Sequence, residues 1–214
     1  MNRRHFSAAS AGLLSALLLS SGSARGQGAA PVEGKDFTRL EPPQPVREPG
    51  KIEVLEFFSY ACPHCSTFEP TLDHWARQLP ADVVFRRVPV PFLMNAENFQ
   101  RTYYALESLG LVPTVQQKIF RAIHVDRQRL EKPEDIAAFV GKNGGDEAKF
   151  LAAFKSFSVA TSVSRAKKAM ADYKVESVPL LVINGRYVTS PSMAGGAPQA
   201  LAVADQLIQR SRAK

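Results

Sequence analysis

The chain has 214 residues, 45% of them apolar, and a formal net charge of +7. That length and composition suit one globular domain, or a domain carrying an insertion, with a core of ordinary size. The positive excess is scattered: Arg86-Arg87 and Lys167-Lys168 are pairs rather than the dense runs of a nucleic-acid-binding tail, so solvated surface is the reading for them.

The N-terminus reads as an export signal. Arg3-Arg4 form a basic start, an apolar run centres on Ala11 to Leu19, and small residues follow at Ser21-Gly22-Ser23-Ala24. The expected signal is residues 1–24, with Gly28-Ala29-Ala30 a second possible cut, so that it extends up to residue 30. The apolar run is too short to span a bilayer permanently. Arg-Arg-His-Phe resembles the core of a twin-arginine signal but lacks the usual basic residue after Phe6, which favours the general secretory route.

Gln27 to Gly50 is rich in Gly and Pro and predicts a flexible lead-in, with a short edge strand near Phe37 to Leu40. Lys51 to Phe58 predicts a strand with Ile52, Val54, Glu56 and Phe58 on one face. Glu56 therefore keeps apolar company, which favours burial over an exposed strand end. Cys62 to Leu79 predicts a helix bent by Pro70, with Trp75 among its core residues. Asp82 to Val90 predicts a second strand.

From Asn95 onwards the pattern turns helical, with candidates at Ala96–Leu109, Thr114–Ile123, Pro133–Val140, Asp146–Phe154 and Phe157–Tyr173. Leu180–Ile183, Asn184-Gly185 and Arg186–Thr189 predict a β-hairpin, because Asn-Gly supplies the positive φ angles of a tight turn. Pro198 to Arg210 predicts a closing helix. This order gives an α/β class, a thioredoxin-like fold with an inserted helical domain: residues 36–92, then the insert at 93–160, then 161–214.

The only two cysteines, Cys62 and Cys65, stand at C-x-x-C spacing where a strand gives way to a helix. Free N–H groups and the helix dipole favour negative charge at that point, here the Cys62 thiolate, the form that attacks or leaves in disulfide exchange. Pro63 suits the first helical turn. His64, between the thiols, can donate to the Cys62 sulfur or stand near it as a cation. A helix terminus supplies about 0.3–1 kcal/mol, and one pKa unit corresponds to about 1.4 kcal/mol. A strongly acidic Cys62 therefore needs local donors and His64 as well. No second C-x-x-C and no H-x-x-x-H accompanies the pair, which argues against a metal site, and Ser66 stands where haem attachment requires histidine. His74 and His124 read as ordinary helix-surface residues.

Glu-Phe-Phe-Ser-Tyr-Ala-Cys-Pro-His-Cys, with Phe68-Glu69 and the later Val178-Pro179…Val182-Ile183-Asn184-Gly185, resembles the DsbA family of periplasmic thiol:disulfide oxidoreductases over nearly all of the mature chain. The resemblance implies that Cys62 is the exposed nucleophile and Cys65 its buried partner. It also implies a cis Pro179 against the pair, with Val178 offering backbone groups to a substrate peptide, and a buried acid at Glu56. It implies reduced secreted proteins as substrates, a DsbB-type inner-membrane quinone oxidoreductase as reoxidant, a periplasmic setting and no bound cofactor. Neither nucleic acid nor metal is expected as a partner.

Two positions depart from the family. Arg87 stands where the best-known members carry a lysine, and arginine cannot shuttle a proton; pairing with Glu56 or Glu69 and a plain surface role both remain open for it. Ala61 replaces a larger residue before the first cysteine. The alternatives to an oxidase are a reductant or isomerase on the same scaffold, or a non-catalytic peptide-binding chaperone. Isomerases of that compartment usually carry a further dimerisation domain, for which the lead-in to Glu53 is too short, so a monomer is expected.

Overall fold

A computed structural model describes residues 30–213 of the chain. The export signal expected at residues 1–24 lies outside the described residues. A five-stranded sheet has the order β1-β5-β4-β2-β3. The strands are β1 (Thr38–Arg39), β2 (Ile52–Phe58), β3 (Val83–Pro89), β4 (Leu180–Ile183) and β5 (Tyr187–Thr189). Only the β2–β3 pair is parallel, and helix α1 (Pro63–Ala76) supplies its crossover.

Every residue of β2 is buried. The strand is central, so it needs apolar side chains on both faces rather than a simple alternation. Ile52 and Val54 join a cluster with Phe68 and Leu72 of α1 and with Leu201, Ala204 and Leu207 of α8 (Ala197–Arg212). Leu55 and Phe57 face the opposite cluster, built with α2 (Ala96–Ser108), α3 (Val112–His124), α4 (Pro133–Lys142), α5 (Glu147–Lys155) and α6 (Phe157–Asp172). These five helices lie between β3 and β4 in the chain.

Most expected elements form within a residue or two of their predicted bounds. Helix α1 ends at Ala76, three residues short of Leu79, and α3 begins at Val112, earlier than Thr114, with Pro113 in its first turn. A four-residue helix, α7 (Pro191–Ala194), was not predicted; Ser190 caps it by accepting from Met193 N–H at 3.2 Å. Trp75 is half-buried rather than a full core residue: its ring meets Phe85 edge-on at 6.3 Å, and its indole N–H donates to Asp205 Oδ1 at 2.9 Å. Asn184 and Gly185 both take positive φ, 51° and 62°, as a two-residue hairpin turn demands. Gly185 is required for a second reason, since an added Cβ would lie 2.0 Å from Gln44 O.

An aromatic cluster joins the sheet to the helices next to the cysteines. Phe58 at the end of β2 meets Tyr60 and Tyr103, each at 5.3 Å between centroids, and Tyr60 meets Phe99 at 5.8 Å and Phe120 at 5.1 Å. The Tyr60 hydroxyl donates to Gln116 Oε1 of α3. We expect Phe58→Ala to cost about 3–5 kcal/mol, because a buried aromatic shared by three elements leaves a cavity they cannot close together. Urea unfolding measures it; a loss under about 1 kcal/mol would mean that the helices dock without this ring.

Candidate functional site

The loop after β2 folds on itself before α1 begins. Ser59 O accepts from Cys62 N–H at 3.1 Å, and Ser59 Oγ accepts from Ala61 N–H at 3.1 Å. His124 Nε2–H donates to Tyr60 O at 2.8 Å. His124, read from the sequence as a surface residue, is in fact half-buried against Phe120 and tethers this loop to the end of α3. Its spacing in the helix carries no signal of that contact.

Cys62 is the N-cap of α1, with Pro63 in the first turn. Its Sγ accepts from Cys65 N–H at 3.3 Å, the contact a capping serine oxygen ordinarily makes. On its other side the Cys62 thiol lies 3.5 Å from Val178 O, next to the cis Val178–Pro179 bond. Both cysteines are free thiols. Cys65 is fully buried, and Cys62 is only 5% exposed, so the exposed nucleophile implied by the family is here largely covered. The chain places Val178 and Pro179 directly beside the pair and leaves little of the sulfur open. His64 is exposed on the first turn.

The two thiols differ sharply in acidity. Cys62 is lowered to about 6. The largest cause is the hydrogen bond from the Cys65 side chain, followed, against an opposing burial, by the backbone N–H groups of Cys65 and His64; the His64 charge contributes least. Cys65 is pushed far up, first by burial and then by the Cys62 sulfur it serves. The reduced pair therefore holds a Cys62 thiolate beside a Cys65 thiol.

Beneath it lies a buried charge cluster. The β2–β3 register sets Arg87 directly opposite Glu56. Arg87 Nε donates to Glu56 Oε2 and its Nη2 to Glu69 Oε1 of α1, each at 2.9 Å, and Asp73 Oδ1 stands 3.7 Å away. Arg87 is 9% exposed, so its surface reading is corrected: two buried carboxylates need a cation, and the register supplies one. Its neighbour Arg86 is likewise ion-paired rather than simply solvated, with Glu48 and, at 3.3 Å, with the buried Glu53. Burial pushes Glu56 up to about 7 despite Arg87, and pushes Glu69 up to about 8 with Glu56 as its second cause. One guanidinium cannot neutralise both acids, so the pair holds a proton near neutrality, shared between two sites rather than owned by one. Glu69 followed Phe68 in the motif but carried no sign of burial of its own, and only the register and the α1 packing reveal it.

An acid raised in the folded state binds protons that the unfolded chain has released, so stability falls as pH rises between the two values. For the disulfide form we expect stability to drop by a few kcal/mol between about pH 4.5 and pH 8. Glu69→Gln should flatten much of that slope. Urea midpoints measured across this range that do not move with pH would contradict the shared proton.

Sequence and structure comparisons agree on one family. The sequence model of the DSBA-like thioredoxin domain family matches residues 85–207, a stretch beginning beyond the two cysteines. Two relatives, each named "Thiol:disulfide interchange protein DsbA", extend the match. The one from Burkholderia cepacia is 41% identical over 207 residues, covering 94% of this chain and 98% of its own. That from Azotobacter vinelandii is 43% identical over 181 residues, covering 84% of each. The crystal structure of Pseudomonas aeruginosa DsbA superposes with a TM-score of 0.82 at 41% identity, over 85% of this chain and 95% of that one. DsbA from Xylella fastidiosa gives 0.79 at 31% identity, over 86% and 99%. With a dithiol at the start of a helix, a thioredoxin-like sheet with five helices between β3 and β4, and relatives spanning almost its full length, the chain belongs to the DsbA family of thiol:disulfide oxidoreductases.

Proposed function

We propose that this oxidoreductase works as a dithiol oxidase in which Cys62 receives the substrate and Cys65 is the internal leaving group. The observation that carries the reading is the capped sulfur: Cys62 Sγ at a helix N-terminus, accepting from Cys65 N–H at 3.3 Å beside Val178 O at 3.5 Å. A substrate thiolate attacks Cys62 Sγ of the disulfide form, and the Cys62–Cys65 bond breaks with its electron pair on Cys65, which takes a proton. A second substrate thiolate then attacks the substrate sulfur of the mixed disulfide and expels Cys62 as thiolate. Substrate loses two electrons and the Cys62–Cys65 pair gains them. Expulsion is favoured because the Cys62 thiolate is stabilised, and the same stabilisation makes the disulfide form oxidising.

Supporting roles follow from position. Glu56 and Glu69 form a proton store beneath Cys65, and Arg87 fixes the two acids without exchanging a proton itself. Pro63 sets the first turn of α1. Val178 presents backbone to an extended substrate segment, with Pro179 packed behind it. His64 adds a backbone donor and a nearby positive charge. Residues 36–92 and 161–214 act as one thioredoxin-like unit and residues 93–160 as a helical insert, with α6 crossing the boundary at 160. The substrates are reduced exported proteins met in the periplasm, the protein works as a monomer, and a DsbB-type membrane quinone oxidoreductase restores the disulfide; the basic and apolar N-terminal sequence and the family support this setting.

Equilibration of the pair against a glutathione buffer is the primary test. A potential well above that of thioredoxin supports the oxidase; one close to it would assign the scaffold to a reductant or isomerase. Cys62→Ser should abolish exchange, which a chaperone would tolerate, and Cys65→Ser should accumulate the mixed disulfide. A folded-state thiol lowered from 9.0 to about 6 contributes stability that is present above the unfolded value and lost as pH falls through the folded one. The reduced form should therefore gain a few kcal/mol over the disulfide form between pH 6 and pH 9. His64→Ala should shrink that gain and slow alkylation of Cys62 at pH 6, while an unchanged alkylation profile would remove His64 from the mechanism.

A further inference from the structure

We propose that the groove beside the redox pair selects cysteine segments with an acidic side chain one or two residues from the reacting thiol, and that Arg127 and Arg129 hold that acid. The inference rests on Cys62 as the sulfur that meets substrate. The groove has a volume of about 310 Å³, and its near wall is made by Ala61 and Pro63, the residues on either side of Cys62. Met94 and Phe99 contribute apolar surface, and Met94 is 77% exposed. Arg127 and Arg129 line the far side and are both exposed.

What distinguishes these two guanidiniums is that they line one groove together, beside the residues that flank Cys62. Arg39, Arg77, Arg101, Arg121 and Arg212 each have an acidic partner. Among the described residues, Arg127 and Arg129 have no ion-pair partner, although Glu131 also lines the groove. An unpaired arginine in open solvent would call for no explanation. Two of them lining one groove with Met94, Phe99, Ala61 and Pro63 are placed to hold a carboxylate next to the residues that flank Cys62, in a contact that salt will screen. The width suits one or two side chains rather than a folded surface.

The geometry divides the work. A substrate backbone runs along Val178 on one side of Cys62, and a side chain next to its cysteine crosses Ala61 or Pro63 into the groove on the other. About 3.3–3.6 Å of extended chain per residue keeps that acid within two positions of the thiol. Ala61 is small, which leaves room for a side chain to cross it into the groove. The chemistry is the exchange already written: the peptide dithiol is oxidised and the Cys62–Cys65 disulfide reduced.

The test uses the disulfide form of the whole protein and three dithiol peptides that differ only beside the first cysteine, with Glu, Ala or Lys. At low ionic strength the Glu peptide should react roughly tenfold faster than the Lys peptide, within the range of electrostatic steering, and the ratio should shrink in salt. The double variant Arg127→Glu/Arg129→Glu should invert the order. A matched change on α5 and α6, Lys155→Glu/Lys167→Glu, alters net charge equally without touching the groove and should leave the order intact. Equal rates for all three peptides with the unaltered protein would overturn the proposal while leaving the oxidase reading standing. So would a preference that follows net charge in both double variants. Failure to oxidise any of the peptides would remove both.

Discussion

A guanidinium buried between two carboxylates ties the centre of the sheet to the redox helix. Arg87 comes from β3, Glu56 from β2 and Glu69 from α1, so one side chain fixes the lateral register of the parallel pair and the seat of the helix that carries both thiols. Leaving such a cluster without its cation would strand two charges in an apolar interior, whereas keeping it sets a half-titrated group just under the cysteines. Structure and chemistry depend on the same contact. The scaffold needs the ion pairs to accept buried acids, and their incomplete neutralisation leaves the proton store proposed for the exchange reaction.

Above the cluster, the asymmetry between the thiols comes from position rather than composition. Cys62 occupies the one residue of α1 whose side chain can receive helix N–H groups, while Cys65, a turn later, faces inward among apolar neighbours. Each sulfur worsens the other's symmetry: the inner thiol donates to the outer thiolate, and the outer charge holds the inner proton in place. The sequence argument called on His64 as well as local donors. Its charge ranks below the partner thiol and the backbone donors, as expected for an exposed imidazole whose field is screened by water.

Much of this was legible beforehand. Element order, the hairpin at Asn184-Gly185, the helix starting on the cysteines and the burial of Glu56 follow from periodicity, turn chemistry and apolar neighbours, all local signals. What stayed hidden depends on register and on contacts between distant segments. Arg87 looks like half of a surface pair until β3 is laid against β2, Glu69 looks like an ordinary polar position until α1 is docked, and His124 looks solvent-facing until the end of α3 reaches Tyr60. The near-complete covering of Cys62 was also unreadable, because the segment that covers it lies far along the chain.

That separation has its own consequence. Cys62 Sγ and Val178 O meet across 116 positions of sequence, with the whole helical block between them. A chain threaded out from its N-terminal end presents the dithiol long before β4, α8 and the Val178–Pro179 wall exist to enclose it. During that interval the two sulfurs are ordinary cysteines of an unfinished polypeptide, open to the same cross-linking errors as any other emerging chain. The enclosure of the pair is thus a property of the completed molecule, and roughly the last sixth of the sequence closes it.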